Sequence, residues 1–117
     1  MNLDNTKAQM RKGVLEYCIL AMLKHKDGYV AELLDGLKTA ELLVVEGTLY
    51  PLLTRLKNAG FLDYRWEEST SGPPRKYYQL TKEGSDFLDD LHQSWTSLNA
   101  SVAMVTQNNN NKTSKAK

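Results

Sequence analysis

Residues 46–62 read EGTLYPLLTRLKNAGFL. Leu49, Leu52, Leu53 and Leu56 recur at helical spacing and make one apolar stripe. The opposite side carries Gly47, Tyr50, Pro51, Thr54, Arg55 and Asn58, which are small, hydrogen-bonding or cationic. Such a helix is anchored in a core on one side and free to touch something polar and anionic on the other. Gly60 is a helix stop, and an apolar strand begins at once with Phe61 and Leu62. A helix, a stop and then a hairpin is the order that a DNA-reading helix followed by a wing requires.

Outward from this stretch, the chain has 117 residues, enough for one domain with a modest core. Its net charge of +1 excludes a generally sticky polycation but not nucleic-acid binding, because the location of charge matters more than the sum. Basic residues gather at Lys7, Arg11 and Lys12, at Arg55 and Lys57, and at Arg75 and Lys76. Acids gather at Asp86, Asp89 and Asp90 and at Glu67 and Glu68. Such segregation permits one basic face on a near-neutral protein. The single cysteine, Cys18, rules out an internal disulfide and fits a reducing compartment. The apolar run 13–23 is interrupted by Glu16 and is read as a buried helix rather than a leader, so a cytoplasmic protein without a membrane segment is expected.

Residues 1–6 are polar and are expected to be loose. A wide apolar face over Lys7 to Lys24 predicts the first helix, and Asp27-Gly28 marks a turn. Tyr29 to Thr39 predicts the second helix, Glu41 to Val45 a short extended linker, and Glu46 to Ala59 the third helix. The alternation of Leu62, Tyr64 and Trp66 with Asp63, Arg65 and Glu67 predicts a strand over Phe61–Glu67, and Arg75–Leu80 a second. Between them, Ser69 to Pro74 is expected to be a long hairpin tip stiffened by two prolines. Thr81 is placed to cap a last helix over Lys82–Thr106. There Leu88, Leu91, Trp95, Leu98, Val102 and Val105 alternate spacings of three and four, a heptad seam. With no facing helix of comparable length foreseen, the expected partner is the same helix of a second chain. The polar tail 107–117, with its run of asparagines, is expected to be disordered.

The predicted class is therefore mainly α (α+β): a winged helix-turn-helix over residues 1–81, with a two-stranded β wing, and a long C-terminal dimerisation helix over 82–106. No metal-ligand spacing links His25, His92 and Cys18, no catalytic constellation stands out, and no cofactor is implied. The chain is not read as an enzyme.

Gly47-Thr48-Leu49-Tyr50-Pro51-Leu52-Leu53-Thr54-Arg55-Leu56 is similar to the central signature of the PadR family of bacterial transcriptional regulators. Gly72-Pro73-Pro74-Arg75-Lys76-Tyr77-Tyr78-Gln79-Leu80-Thr81-Lys82-Glu83-Gly84 resembles that family's wing and the start of its last helix. The single short last helix resembles the small subgroup. One departure is Val45, where the family often has a serine that caps helix three.

The resemblance implies a sequence-specific, double-stranded DNA-binding regulator, a repressor and a homodimer on a palindromic operator. Pro51 is unfavourable inside a helix, and its ring presses toward the carbonyl of Gly47 on the exposed side. Gly47 has no side chain to hold the backbone off a DNA strand. Tyr50, Thr54, Arg55 and Asn58 are candidates for phosphate or base contacts, with Thr48 beside them. Arg55 has an alternative as a surface ion pair with Glu41 or Asp35. Gly72, Arg75 and Lys76 are the wing candidates. In the seam, Leu91, Trp95, Leu98 and Val102 are candidates for the dimer contact. The family includes members responding to phenolic acids or planar drugs, some with a tryptophan here, so Trp95 is either an effector contact or a large interface residue. The competing class is a winged-helix protein-interaction module that binds no DNA.

Overall fold

The computed structural model describes residues 1–115, with side chains as far as Gln107. The elements run α1 (Leu3–His25), α2 (Val30–Thr39), α3 (Glu46–Asn58), β1 (Leu62–Ser69), β2 (Gly72–Leu80) and α4 (Lys82–Lys115). The winged helix-turn-helix expected from the sequence is the observed architecture. Its core joins Leu15, Ile19, Leu20 and Leu23 of α1 to Leu33 and Leu37 of α2, Leu49, Leu53 and Leu56 of α3, Leu62, Tyr78 and Leu88. Every layer thus contributes to one cluster, which holds α3 and the hairpin at a defined angle.

Four details differ from expectation. Residues 1–6 are not loose: Asn2 Oδ1 accepts the backbone N–H groups of Asp4 and Asn5 at 2.8 and 3.3 Å, so α1 begins at Leu3. The strands extend further up the hairpin, and the turn shrinks to Thr70 and Ser71. Glu67 pairs with Arg75 and Ser69 with Gly72, leaving Pro73 and Pro74 across from Glu68 in a β-bulge. Two residues that cannot donate to a ladder sit where the ladder is already interrupted. Glu41 to Val45 is not extended throughout, since Glu41 turns the chain with φ of 63°. Finally, the helix bounds of α4 run past Thr106 to Lys115; Ala116 and Lys117 lie outside the described residues. Asparagine is only a modest helix former, but no proline or glycine interrupts the run.

The hairpin is tied to the body on its outer edge. Gly28 and Tyr78 exchange two backbone hydrogen bonds at 3.1 and 2.8 Å, so the α1–α2 loop acts as a one-residue third strand. Thr81 closes the other end: its hydroxyl donates to the Gly60 carbonyl at 2.7 Å and accepts from the Gly84 N–H at 2.9 Å. One side chain joins the stop of α3 to the predicted cap of α4. Phe61 and Phe87 stack beside it with ring centroids 4.2 Å apart.

α1 corrects the expectation that no helix within the chain faces the seam. It lies along the near part of α4, with Lys24 bonded to Ser85 at 2.7 Å and Tyr17 to His92 at 2.6 Å. The cover ends near Trp95. Beyond it Leu98, Val102 and Val105 are 56%, 52% and 64% exposed.

Gly84 is buried, and a Cβ there would run into the Phe61 carbonyl oxygen, a backbone atom that cannot swing away. Gly84→Ala is expected to destabilise the fold by about 1–3 kcal/mol, the usual cost of overpacking. Thermal unfolding followed by circular dichroism checks this: a melting temperature equal to wild type would show that α4 is not seated so closely.

Candidate nucleic-acid interface

α3 starts without a side-chain cap, as Val45 requires; the Val45 carbonyl accepts from Thr48 and Leu49 N–H groups at 2.9 and 3.0 Å. It stops at Gly60, whose φ of 88° lets the Phe61 N–H turn back to the Leu56 carbonyl at 3.0 Å. Leu49 and Leu53 are fully buried and Leu56 nearly so, which fixes the rotation of the helix about its own axis. The helical period then divides the rest of α3 into three strips. Gly47, Pro51, Thr54 and Asn58 face straight out and are all exposed. Tyr50 and Lys57 lie on the flank toward the wing. Thr48 and Arg55 lie on the flank toward α1. The space around Gly47 is open, so packing within the protein does not require a glycine there.

The wing side is a basic and aromatic cleft of about 470 Å³, lined among others by Tyr29, Glu46, Tyr50, Trp66, Arg75 and Lys76. Lys76 Nζ lies 4.3, 5.4 and 5.9 Å from the ring centres of Tyr64, Trp66 and Tyr78. Lys57 Nζ approaches Tyr64 from α3 at 5.5 Å. On the other face of the hairpin the Arg75 guanidinium sits 4.6 Å over Tyr29, which in turn meets Tyr77 edge-on at 5.1 Å. Aromatic faces hold these cations without neutralising them. Burial, and then the neighbouring Tyr50 and Tyr64, push the Tyr78 phenol above its ordinary range and keep it neutral under the lysine.

The structure brings together most of the residues singled out from sequence. Tyr50, Arg75 and Lys76 share the wing cleft, while Gly47, Pro51, Thr54 and Asn58 share the outer strip. Gly72 is exposed at the end of the turn, and Arg75 and Lys76 sit within β2. Arg55 stands apart. It pairs with Glu16 of α1, not with Glu41 or Asp35: Nε donates to Oε2 at 3.1 Å and Nη2 donates to Oε1. Thr48 borders a shallow groove with Arg11 and Lys12 of α1, which places that basic cluster at the edge of the surface. Sequence reasoning named Lys57 only as part of a basic cluster and did not place Tyr29, Tyr64 or Trp66 in the site. The alternation in β1 did place Tyr64 and Trp66 on one face, but only the register, with Trp66 opposite Lys76, shows that they hold a cation.

The seam residues form a second feature, remote from α3. Leu91, Trp95, Leu98 and Val102 line an open apolar groove of about 540 Å³ with Met10, Val14 and Tyr17 of α1. The Tyr17 and Trp95 rings are 6.3 Å apart and tilted. Burial raises the Cys18 thiol on the same helix, so it stays protonated. Among the described residues no group of His, Cys, Asp or Glu is placed to hold a metal ion, and no helix is long and apolar enough to cross a membrane.

Residues 19–90 match the model of the transcriptional regulator PadR-like family, a span of more than half the chain. The chain belongs to the PadR-like family of transcriptional regulators. A PadR-like transcription factor from Bacteroides fragilis is similar at 56% identity and a TM-score of 0.73, over 86% of this chain and 98% of that one. A PadR-like transcriptional regulator from Bacillus cereus shares 37% identity with a TM-score of 0.75, over 85% and 97% of the two chains. A PadR family transcriptional regulator from Eggerthella lenta aligns with a TM-score of 0.82 at 30% identity, over 89% and 91%.

In this PadR-like regulator, the open space at Gly47 lets a side chain be added there without disturbing the packing. Gly47→Ala is expected to leave the melting temperature unchanged or raised, since alanine is better than glycine in a helix by up to about 1 kcal/mol. DNA affinity is expected to fall roughly tenfold, or about 1.4 kcal/mol, because a methyl group then stands between backbone and duplex. Melting and fluorescence-anisotropy titration of the same preparation measure both; a variant that binds like wild type removes Gly47 from the contact surface.

Proposed function

We propose that this PadR-like regulator is a sequence-specific repressor that acts in the cytoplasm as a homodimer on a palindromic operator. The observation that carries the reading is that Tyr50 on the exposed flank of α3 borders a cleft lined by Arg75 and Lys76 of the wing, and that these two cations and Lys57 have no carboxylate partner among the described residues. α3 enters the major groove of each half-site with Gly47, Pro51, Thr54 and Asn58 toward the bases, and Thr48 and Tyr50 at its edges. Lys76 and Arg75 lie along the flanking backbone, where the cleft beside Tyr50 and Trp66 receives one strand. The uncovered half of the α4 seam supports the dimer. Leu98, Val102 and Val105 form an apolar row that one chain leaves open, and a symmetric partner covers it with its own copy. That helix then sets the distance between the two reading heads. The groove beside Trp95, rimmed by Tyr17, suits a planar aromatic effector whose binding shifts that distance and releases DNA.

Salt dependence tests the DNA assignment. Binding to an operator duplex is expected to weaken linearly on a log–log plot, with a slope of about −0.9 per neutralised phosphate. Arg75→Ala with Lys76→Ala is expected to flatten the slope by about 0.9 for each lost contact, across all sequences. An unchanged slope contradicts the wing assignment, and absence of binding to any duplex favours a winged helix that binds protein instead.

Leu98→Asp with Val102→Asp is expected to convert the dimer to a folded monomer in sedimentation-velocity runs. Trp95→Ala is expected to keep the dimer and lose release of DNA by planar aromatic compounds. A monomeric wild type, or release that survives in Trp95→Ala, contradicts the respective assignment.

A further inference from the structure

We infer that Glu16 is a positioning residue for base reading: it holds Arg55 so that the free end of the guanidinium meets a guanine edge beside α3. The inference rests on the DNA-reading function proposed above and adds a residue of α1 to it.

A guanidinium has five N–H groups in one plane. Glu16 takes one from Nε and one from Nη2. The other hydrogen on Nη2 and the two on Nη1 remain, and the adjacent pair on the terminal edge forms a second fork. That fork has the spacing that guanine O6 and N7 accept with two hydrogen bonds. The exposures of the two partners show which way the pair is turned. The Glu16 side chain is 27% exposed and the Arg55 side chain 70%, so the carboxylate is half-sheltered between the helices while the guanidinium faces outward. Glu16 is itself fixed, because Leu15 and Ile19 on either side of it are buried in the core at 3% and 0% exposure.

Arg55 lies one helical turn from both Pro51 and Asn58 of the outer strip, so a side chain of its length reaches the groove that this strip faces. Its pairing also divides the labour among the cations. An arginine matched by a carboxylate adds little to the general attraction for phosphate, since the pair is neutral. Its directional hydrogen bonds survive. Lys57, Arg75 and Lys76, without such partners, supply the general attraction. The combination assigns Arg55 to discrimination rather than to affinity, and it assigns Glu16 the task of preventing the side chain from swinging to the nearest phosphate.

The test is selection of binding sites from a random duplex library by the full-length protein, sequenced deeply enough to give a preference at each base pair. Wild type, Glu16→Ala, Glu16→Gln, Arg55→Ala and the Glu16→Ala/Arg55→Ala double variant are compared, with melting curves confirming that each is folded. Wild type is expected to prefer guanine at one position of each half-site by about tenfold or more. Arg55→Ala and Glu16→Ala lose most of that preference at that position alone, and the double variant loses no more than either. Glu16→Gln keeps the size of the side chain and one acceptor oxygen, and retains part of the preference. Affinity of Glu16→Ala for mixed-sequence DNA does not fall. A Glu16→Ala preference profile identical to wild type overturns the inference. Uniformly tighter binding by Glu16→Ala with no position relaxed overturns it as well, since Glu16 would then be a competitor for Arg55. A wild type that selects no sequence at all overturns the DNA-reading function itself, a result distinct from either.

Discussion

The structure depends on the burial of one side of α3 and nothing else of it. Leu49, Leu53 and Leu56 are at most 2% exposed, whereas Gly47, Tyr50, Pro51, Thr54, Arg55 and Asn58 are all open to solvent. Fully burying a leucine side chain contributes roughly 1.5–3 kcal/mol, so three of them resist any rotation of the helix that would bring its outer face inward. With that rotation fixed, Tyr50 and Lys57 must turn toward the wing and Arg55 toward α1. The Gly60 turn and the Thr81 bridge then carry the same constraint into the hairpin and α4, because both are bonded to the end of α3. Pro51, which forfeits a helix hydrogen bond, is tolerated because the leucine side supplies the stability that local propensity does not.

Charge is arranged by a different rule. A chain with net charge +1 presents a cationic face by giving some cations acidic partners and others aromatic ones. Arg65 is bonded to Asp27 at 2.6 Å and lies near Glu67, which hold it firmly protonated and spend its charge inside the protein. Lys76, on the opposite face of the hairpin, rests on Tyr64, Trp66 and Tyr78, which leave its charge unneutralised. The distinction explains why overall charge says so little about this molecule.

What was legible in the sequence were the features encoded by local period and local chemistry. The leucine stripe of α3, the alternation in β1, the Thr81 cap and the heptad seam each need only neighbours within a few residues. The features that were not legible depend on partners brought together by folding. Arg55 and Glu16 are 39 residues apart, and only the packing of α1 against α3 makes them a pair. Tyr17 shields the first turns of the seam from 75 residues away, which is why the seam looked unpartnered along its whole length. Pro73 and Pro74 looked like part of the hairpin tip, because a bulge that accommodates them is a property of the pairing and not of the prolines. Asn2 was missed for a simpler reason: the polar first turn of α1 resembles a loose terminus until its cap is seen.

The central claim is that two copies of α3, held apart by α4, read a duplex with two-fold symmetry. The most direct measurement is to capture sheared genomic DNA of the source organism with the purified protein at moderate salt and sequence what is retained. The account predicts enrichment of an inverted repeat whose half-site centres are about one helical turn, or a multiple of it, apart on the duplex. Retention of no sequence above background, or of single unpaired half-sites, by a folded dimer contradicts it.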